Sequence, residues 1–89
     1  MAAEIVLRVK ATSSVPSLGS AIAHAVYDEK DVTLRAIGAG AIATAAKAIA
    51  VARGFVATRG YDISCRPGFF TVMIEEEEAT GILFKIDVI

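Results

Sequence analysis

Residues 32–54 read VTLRAIGAGAIATAAKAIAVARG, and they contain the decisive change of period. From Val32 to Ile37 apolar and polar positions alternate: Val32, Leu34 and Ala36 point one way, Thr33, Arg35 and Ile37 the other. A strand with one buried face follows from that period of two. Gly38 and Gly40 end it, and an alanine-rich helix is expected over 38–54, closed by Gly54 as a left-handed cap. At 100° per residue, Ile42, Ala45, Ala46 and Ile49 form one stripe, which we expect to face the core. Ala41, Thr44, Ala48 and Val51 lie around the other side, where water would normally demand more charge. Alanines permit close backbone approach, so Ala41, Thr44, Ala48 and Val51 are the expected seam between two subunits.

The flanking segments have the same legible periods. Residues 4–11 alternate, with Ile5, Leu7, Val9 and Ala11 on one face. Thr12, Ser13 and Ser14 offer capping hydroxyls ahead of Pro16, and a helix is expected from Pro16 to Asp28 with Leu18, Ala21, Ile22, Ala25 and Val26 inward. After the central helix we expect a strand near Tyr61–Arg66, a kink at Pro67-Gly68 and a third apolar run, Phe69–Ile74. A turn of four glutamates, Glu75 to Glu78, leads to a final alternating strand ending at Val88; the last two segments read as a hairpin. The order β-α-β-α-β-β implies an α/β (α+β) two-layer sandwich: a four-stranded mixed sheet with two helices on one face. No repeat or linker divides it, so residues 1–89 are expected to form one domain.

Composition narrows the function. The chain has 89 residues, of which 55% are hydrophobic and 21% charged, and a formal net charge of −1. A core this small leaves little stability margin, which assembly into an oligomer would relieve. Lys47 and Arg53 interrupt the most apolar run before it reaches a membrane span. MAAEIVLRVK lacks the features of a signal peptide, and a single cysteine fits a reducing compartment; a cytoplasmic location is expected. His24, the only histidine, falls on the outer side of its helix, with no second ligand or nucleophile pattern around it. Cys65, in phase with Ile63, is expected in the core. The glutamate run lacks calcium-loop spacing and reads as a solvated turn. No catalytic residue, metal site, cofactor or small-molecule substrate is expected.

Binding is the better prospect. Without the four glutamates the formal charge becomes +3. Lys10 ends the first strand beside Thr12-Ser13-Ser14, and Arg35 precedes the Gly38-Gly40 turn. If those strands are parallel neighbours, both loops emerge at one edge of the sheet. Lysine, hydroxyls and helix-terminal amides there suit phosphate. Gly38-Ala39-Gly40 lacks the third glycine of a dinucleotide fingerprint and the Gly-Lys-Ser/Thr of a P-loop, so a nucleotide-cofactor site is the weaker reading.

AIGAGA (36–41) followed by KAIAVARGFVA (47–57) resembles the central signature of the stage V sporulation protein S family. Ser13-Ser14 and AIA (21–23) fit as well, and the resemblance covers nearly the whole chain. It implies an Alba-like fold, a small cytoplasmic homodimer or higher homo-oligomer, DNA or RNA as partner, and a regulatory role in bacterial development. Three departures stand out. Thr12 occupies a position where the family has lysine, and Ala43-Thr44 replaces an Asn-Gln pair. In Alba-like proteins the hairpin tip is generally basic, whereas here it is Glu75 to Glu78. Nucleic acid is therefore expected at Lys10, Thr12, Ser13, Ser14, Arg35, Gly38, Gly40 and Lys47, away from that tip. The competing reading is a protein-interaction module that binds no nucleic acid.

Overall fold

The computed structural model describes residues 3–89; the first two residues of the expected single domain lie outside them. Six elements follow in order: β1 (Glu4–Val9), α1 (Val15–Tyr27), β2 (Asp31–Ala36), α2 (Ala39–Ala57), β3 (Ile63–Ile74) and β4 (Glu77–Val88). The sheet runs β1-β2-β4-β3, with β1 parallel to β2 and the other two pairings antiparallel. This is the mixed four-stranded sheet with two helices that the periods predict.

The inner sheet face is carried by Val9, Val32, Leu34, Ala36 and Ile86, all buried, with Ile5, Leu7 and Phe84 packed around them. Ser14 caps α1, its Oγ accepting from the Ser17 amide at 3.3 Å, and Pro16 occupies the first turn, where no donor is missed. Ile22, Ala25 and Val26 face inward as expected. Gly19 and Ala23 join them, whereas Ala21 is exposed and Leu18 half-buried. His24 is exposed, and its Nδ1 donates to the Ser20 carbonyl at 2.8 Å.

The two sides of α2 largely exchange the roles expected of them, although Ala45 is buried as expected and Val51 only half-buried. Ala41, Thr44, Ala45, Ala48, Ala52 and Val56 are the buried residues. With Ala41 only 4%, Thr44 8% and Ala48 0% exposed, the expected subunit seam lies inside the chain. The close backbone approach that alanines permit is real, but α1 is the partner. A Cβ built on Gly19 would stand 2.7 Å from Val51 Cγ1 and 3.2 Å from the Ala48 carbonyl oxygen. Ile42 and Ile49, expected at the centre of the core, are half-buried, and Ala46 is exposed. Geometry explains the exchange: α2 packs against both α1 and the sheet, and that wedge takes alanines along most of its length, with Val56 at its end, which pushes the isoleucines to its shoulder.

Gly54 does not cap α2, which continues to Ala57 because Val56 extends the buried stripe. The left-handed glycine is Gly60, at φ +80. By length and composition α2 could cross a membrane, contrary to the expectation drawn from Lys47 and Arg53; it packs instead on α1 and the sheet.

No kink divides β3 at Pro67-Gly68. β3 is an edge strand, and an edge tolerates a residue that has no N–H to donate. Cys65 is exposed rather than buried, since burial on the edge strand β3 is confined to Ile63 at its start. Only Glu75 and Glu76 form the turn, at φ 49 and 67, while Glu77 and Glu78 pair with Ile74 and Met73. Pairing of β2 with β4 stops at Ala36 and Ile82. Beyond it, Phe70–Ile74 and Glu77–Gly81 pair only with each other, an arm projecting about 17 Å from the sheet.

Candidate nucleic-acid interface

The parallel register sets Arg8 beside Arg35 and Val9 beside Ala36, so the loops after β1 and β2 leave the same edge of the sheet. Two contacts hold those loops together. Gly40 comes so close to Ala11 that an added Cβ would stand 2.9 Å from the alanine's own. The Thr44 hydroxyl lies within hydrogen-bond distance of the Ala11 carbonyl, at 3.2 Å, and of the Gly40 carbonyl, at 3.0 Å. Thr44 is therefore an internal clamp, and its buried hydroxyl is satisfied without a partner chain. Gly38 starts the helix at φ +92, a conformation open to glycine and strained for other residues.

The first amides of α2 emerge at this edge, and no acidic residue occupies its first turn. The aligned peptide dipoles of a 19-residue helix make that end favourable to an anion. Beside it a cleft of about 690 Å³ opens between the sheet edge and the hairpin arm. Arg8, Lys10, Arg35, Gly38, Gly40 and Phe70 line it, together with apolar residues of the arm. Arg35 lies over the Phe70 ring, 4.2 Å from its centroid. The ring in turn rests on Gly81, where an added Cβ would stand 2.6 Å from the ring and 2.6 Å from the Ala36 carbonyl oxygen.

Lys10, Arg35, Gly38 and Gly40 thus come together. Thr12, Ser13 and Ser14 sit in the adjoining loop but outside the lining. The Ser13 hydroxyl accepts from the Lys10 amide at 2.9 Å, and that of Ser14 is taken up in capping α1. Lys47 is exposed, two turns along α2 and outside the cleft. Sequence reasoning passed over Arg8 and Phe70. The signal for Arg8 was its place on the outer face of the first strand, two residues before Lys10. Phe70 needed the hairpin register, which a two-residue turn at Glu75-Glu76 fixes.

Charge pairing elsewhere leaves this cluster distinct. Arg53 meets Asp62 at 2.9 Å and Arg66 meets Asp87 at 2.7 Å. The hydrogen bond from each arginine holds its carboxyl below the ordinary aspartate value of 3.8, and the Ile63 amide assists at Asp62. Arg59 lies over the Tyr27 ring. Among the described residues, Arg8, Lys10 and Arg35 form no ion pair. No cluster of three or more His, Cys, Asp or Glu side chains able to hold a metal ion occurs among those residues.

The β-α-β-α-β-β chain on a mixed four-stranded sheet defines an Alba-like fold. The structure matches that of Alba from Thermoplasma volcanium with a TM-score of 0.58, over 94% of this chain and 98% of that one. Sequence identity between them is 15%, so the likeness is one of fold. The chain belongs to the stage V sporulation protein S family, whose model matches residues 5–89.

Proposed function

We propose that residues 1–89 act as one domain, a non-enzymatic cytoplasmic regulator that binds DNA or RNA as a homodimer. One observation carries the reading: Arg8, Lys10, Arg35 and the α2 N-terminus converge on one edge, and among the described residues none of the three side chains is taken up in an ion pair. Family membership supports a role in sporulation. Lys47, although outside the cleft, is exposed and can add a phosphate contact further along α2.

The homodimer needs a surface other than the buried seam first expected. The helix-side face of the hairpin supports one: Phe69 is 79% exposed and Met73 66%. On the same face of β4, Ile82 and Phe84 are half-buried, as are Ile42 and Ile49 on α2. A second copy of the same apolar patch, which Glu78 borders beside Met73, is the complement such a surface calls for.

Titration of labelled duplex DNA, single-stranded DNA and RNA at low and moderate salt tests the reading. Two to four phosphate contacts predict a shallow slope of log K against log salt, about −2 to −4 on duplex and about −1 to −3 on single strands. Lys10→Ala and Arg35→Ala should each weaken binding. No binding of any of the three at low salt would refute it. The net charge of −1 and the acidic turn favour the alternative, a protein-assembly module, which that same negative result would support.

A further inference from the structure

Resting on the nucleic-acid reading above, we propose that the cleft between the sheet edge and the hairpin arm takes an unpaired nucleotide rather than duplex. Its phosphate would lie at Arg8, Lys10 and the α2 amides, and its base against Arg35 and the apolar arm.

Shape is the first argument. The cationic groups line a recess of about 690 Å³ whose far wall is the arm. That size suits a small ligand. A duplex reaches such groups only across a convex surface, and here Glu75 and Glu76 stand at the end of the arm, where they repel a second strand of phosphates.

The lining is the second argument. Phosphate binding needs no large apolar side chains, yet Ile37 and Ile74 line the cleft while 42% and 49% exposed, and Val72 of the arm lines it too. Those side chains match the face of a base. Arg35 adds a planar group: it has no carboxylate partner and is held over Phe70, which is itself locked on Gly81. A guanidinium seated in this way presents its other face for stacking, the mode by which unpaired bases are held. Neither feature would serve a backbone that keeps its bases paired.

The test measures the full chain against a labelled single strand, the duplex of the same sequence, a free mononucleotide and inorganic phosphate. Single strand should bind about tenfold tighter than duplex at equal salt, and Phe70→Leu should weaken single-strand binding about tenfold with little effect on duplex. Arg8→Gln, on the exposed face of β1, should weaken the single strand without touching the core. Circular dichroism checks that each variant folds. Duplex binding as tight as single strand, with Phe70→Leu silent, overturns the proposal and leaves nucleic-acid binding standing. Saturable mononucleotide binding, lost in Phe70→Leu and without any oligonucleotide binding, overturns the nucleic-acid reading and keeps the recess as a site for a free nucleotide. Inorganic phosphate competing as well as the mononucleotide overturns base recognition.

Discussion

Replacing Gly19 by alanine sets two effects of known size against each other. In the interior of a helix alanine is favoured over glycine by about 1 kcal/mol, so an open position would gain that much. Gly19 is not open. The added methyl would stand 2.7 Å from Val51 Cγ1, 3.1 Å from Val51 Cβ and 3.2 Å from the Ala48 carbonyl oxygen. Val51 can turn its methyl away, but the Ala48 oxygen is backbone and moves only with α2. Overpacking of this kind costs about 1–3 kcal/mol. Strain therefore wins, and Gly19→Ala should destabilise the fold by about 1 kcal/mol, lowering the melting temperature by about 4–8 °C in a domain of this size. Urea unfolding followed by circular dichroism measures it. In Gly19→Ala/Val51→Ala most of the clash is gone, so a double-mutant cycle should return a favourable coupling of about 1 kcal/mol. A stabilised Gly19→Ala, with no coupling to Val51, would refute the tight α1–α2 contact and reopen the alanine face of α2 as a surface for a partner.

Three further outcomes are expected. Thr44→Val removes the donor that joins the Ala11 and Gly40 carbonyls and should cost about 1 kcal/mol, with faster amide exchange in the first turn of α2; unchanged stability and exchange would remove Thr44 as the clamp. Phe69→Glu, at an exposed position, should change monomer stability by less than about 0.5 kcal/mol while abolishing the dimer in sedimentation equilibrium; intact assembly would place the seam elsewhere. Asp62 and Asp87 have folded values below their unfolded ones, so their pairs stabilise fully above about pH 4 and lose that contribution as pH falls through the lower folded values. Urea midpoints from pH 5 to pH 2 should therefore fall less steeply in Asp62→Asn/Asp87→Asn than in the parent; parallel acid limbs would contradict the pairing.

Strand faces were legible because a period of two needs only local alternation. Val32, Leu34 and Ala36 lie where their spacing puts them. The faces of α2 were not. Fifteen of its nineteen residues are alanine, glycine, isoleucine or valine, so hydrophobicity distinguishes its sides poorly, and bulk was mistaken for burial. The wedge between α1 and the sheet selects small residues, a constraint that arises only when three elements meet. Pro67-Gly68 misled for a related reason. A proline breaks a central strand but not an edge, and strand order is not written in the local pattern. Cys65 shares the helix-side alternation of Ile63, yet on this edge strand burial ends at Ile63. At the site, Lys10, Arg35, Gly38 and Gly40 were readable from parallel pairing of two consecutive strands. Phe70 was not, since its position depends on a turn of two glutamates where glycine or asparagine is usual.

The strand order also bears on how the chain reaches its native state. β1-α1-β2 and the β3–β4 hairpin each form from near neighbours in sequence. The ladder between β2 and β4 alone joins one half of the sheet to the other, pairing residues about fifty positions apart. Closing so long a loop is an entropic cost that neither half can offset by itself, so docking of the hairpin onto β2 sets the speed of folding. Until that step the inner faces of Val32, Leu34 and Ile86 remain open to water and to other chains. Aggregation during refolding is therefore a hazard concentrated at the middle of the sheet.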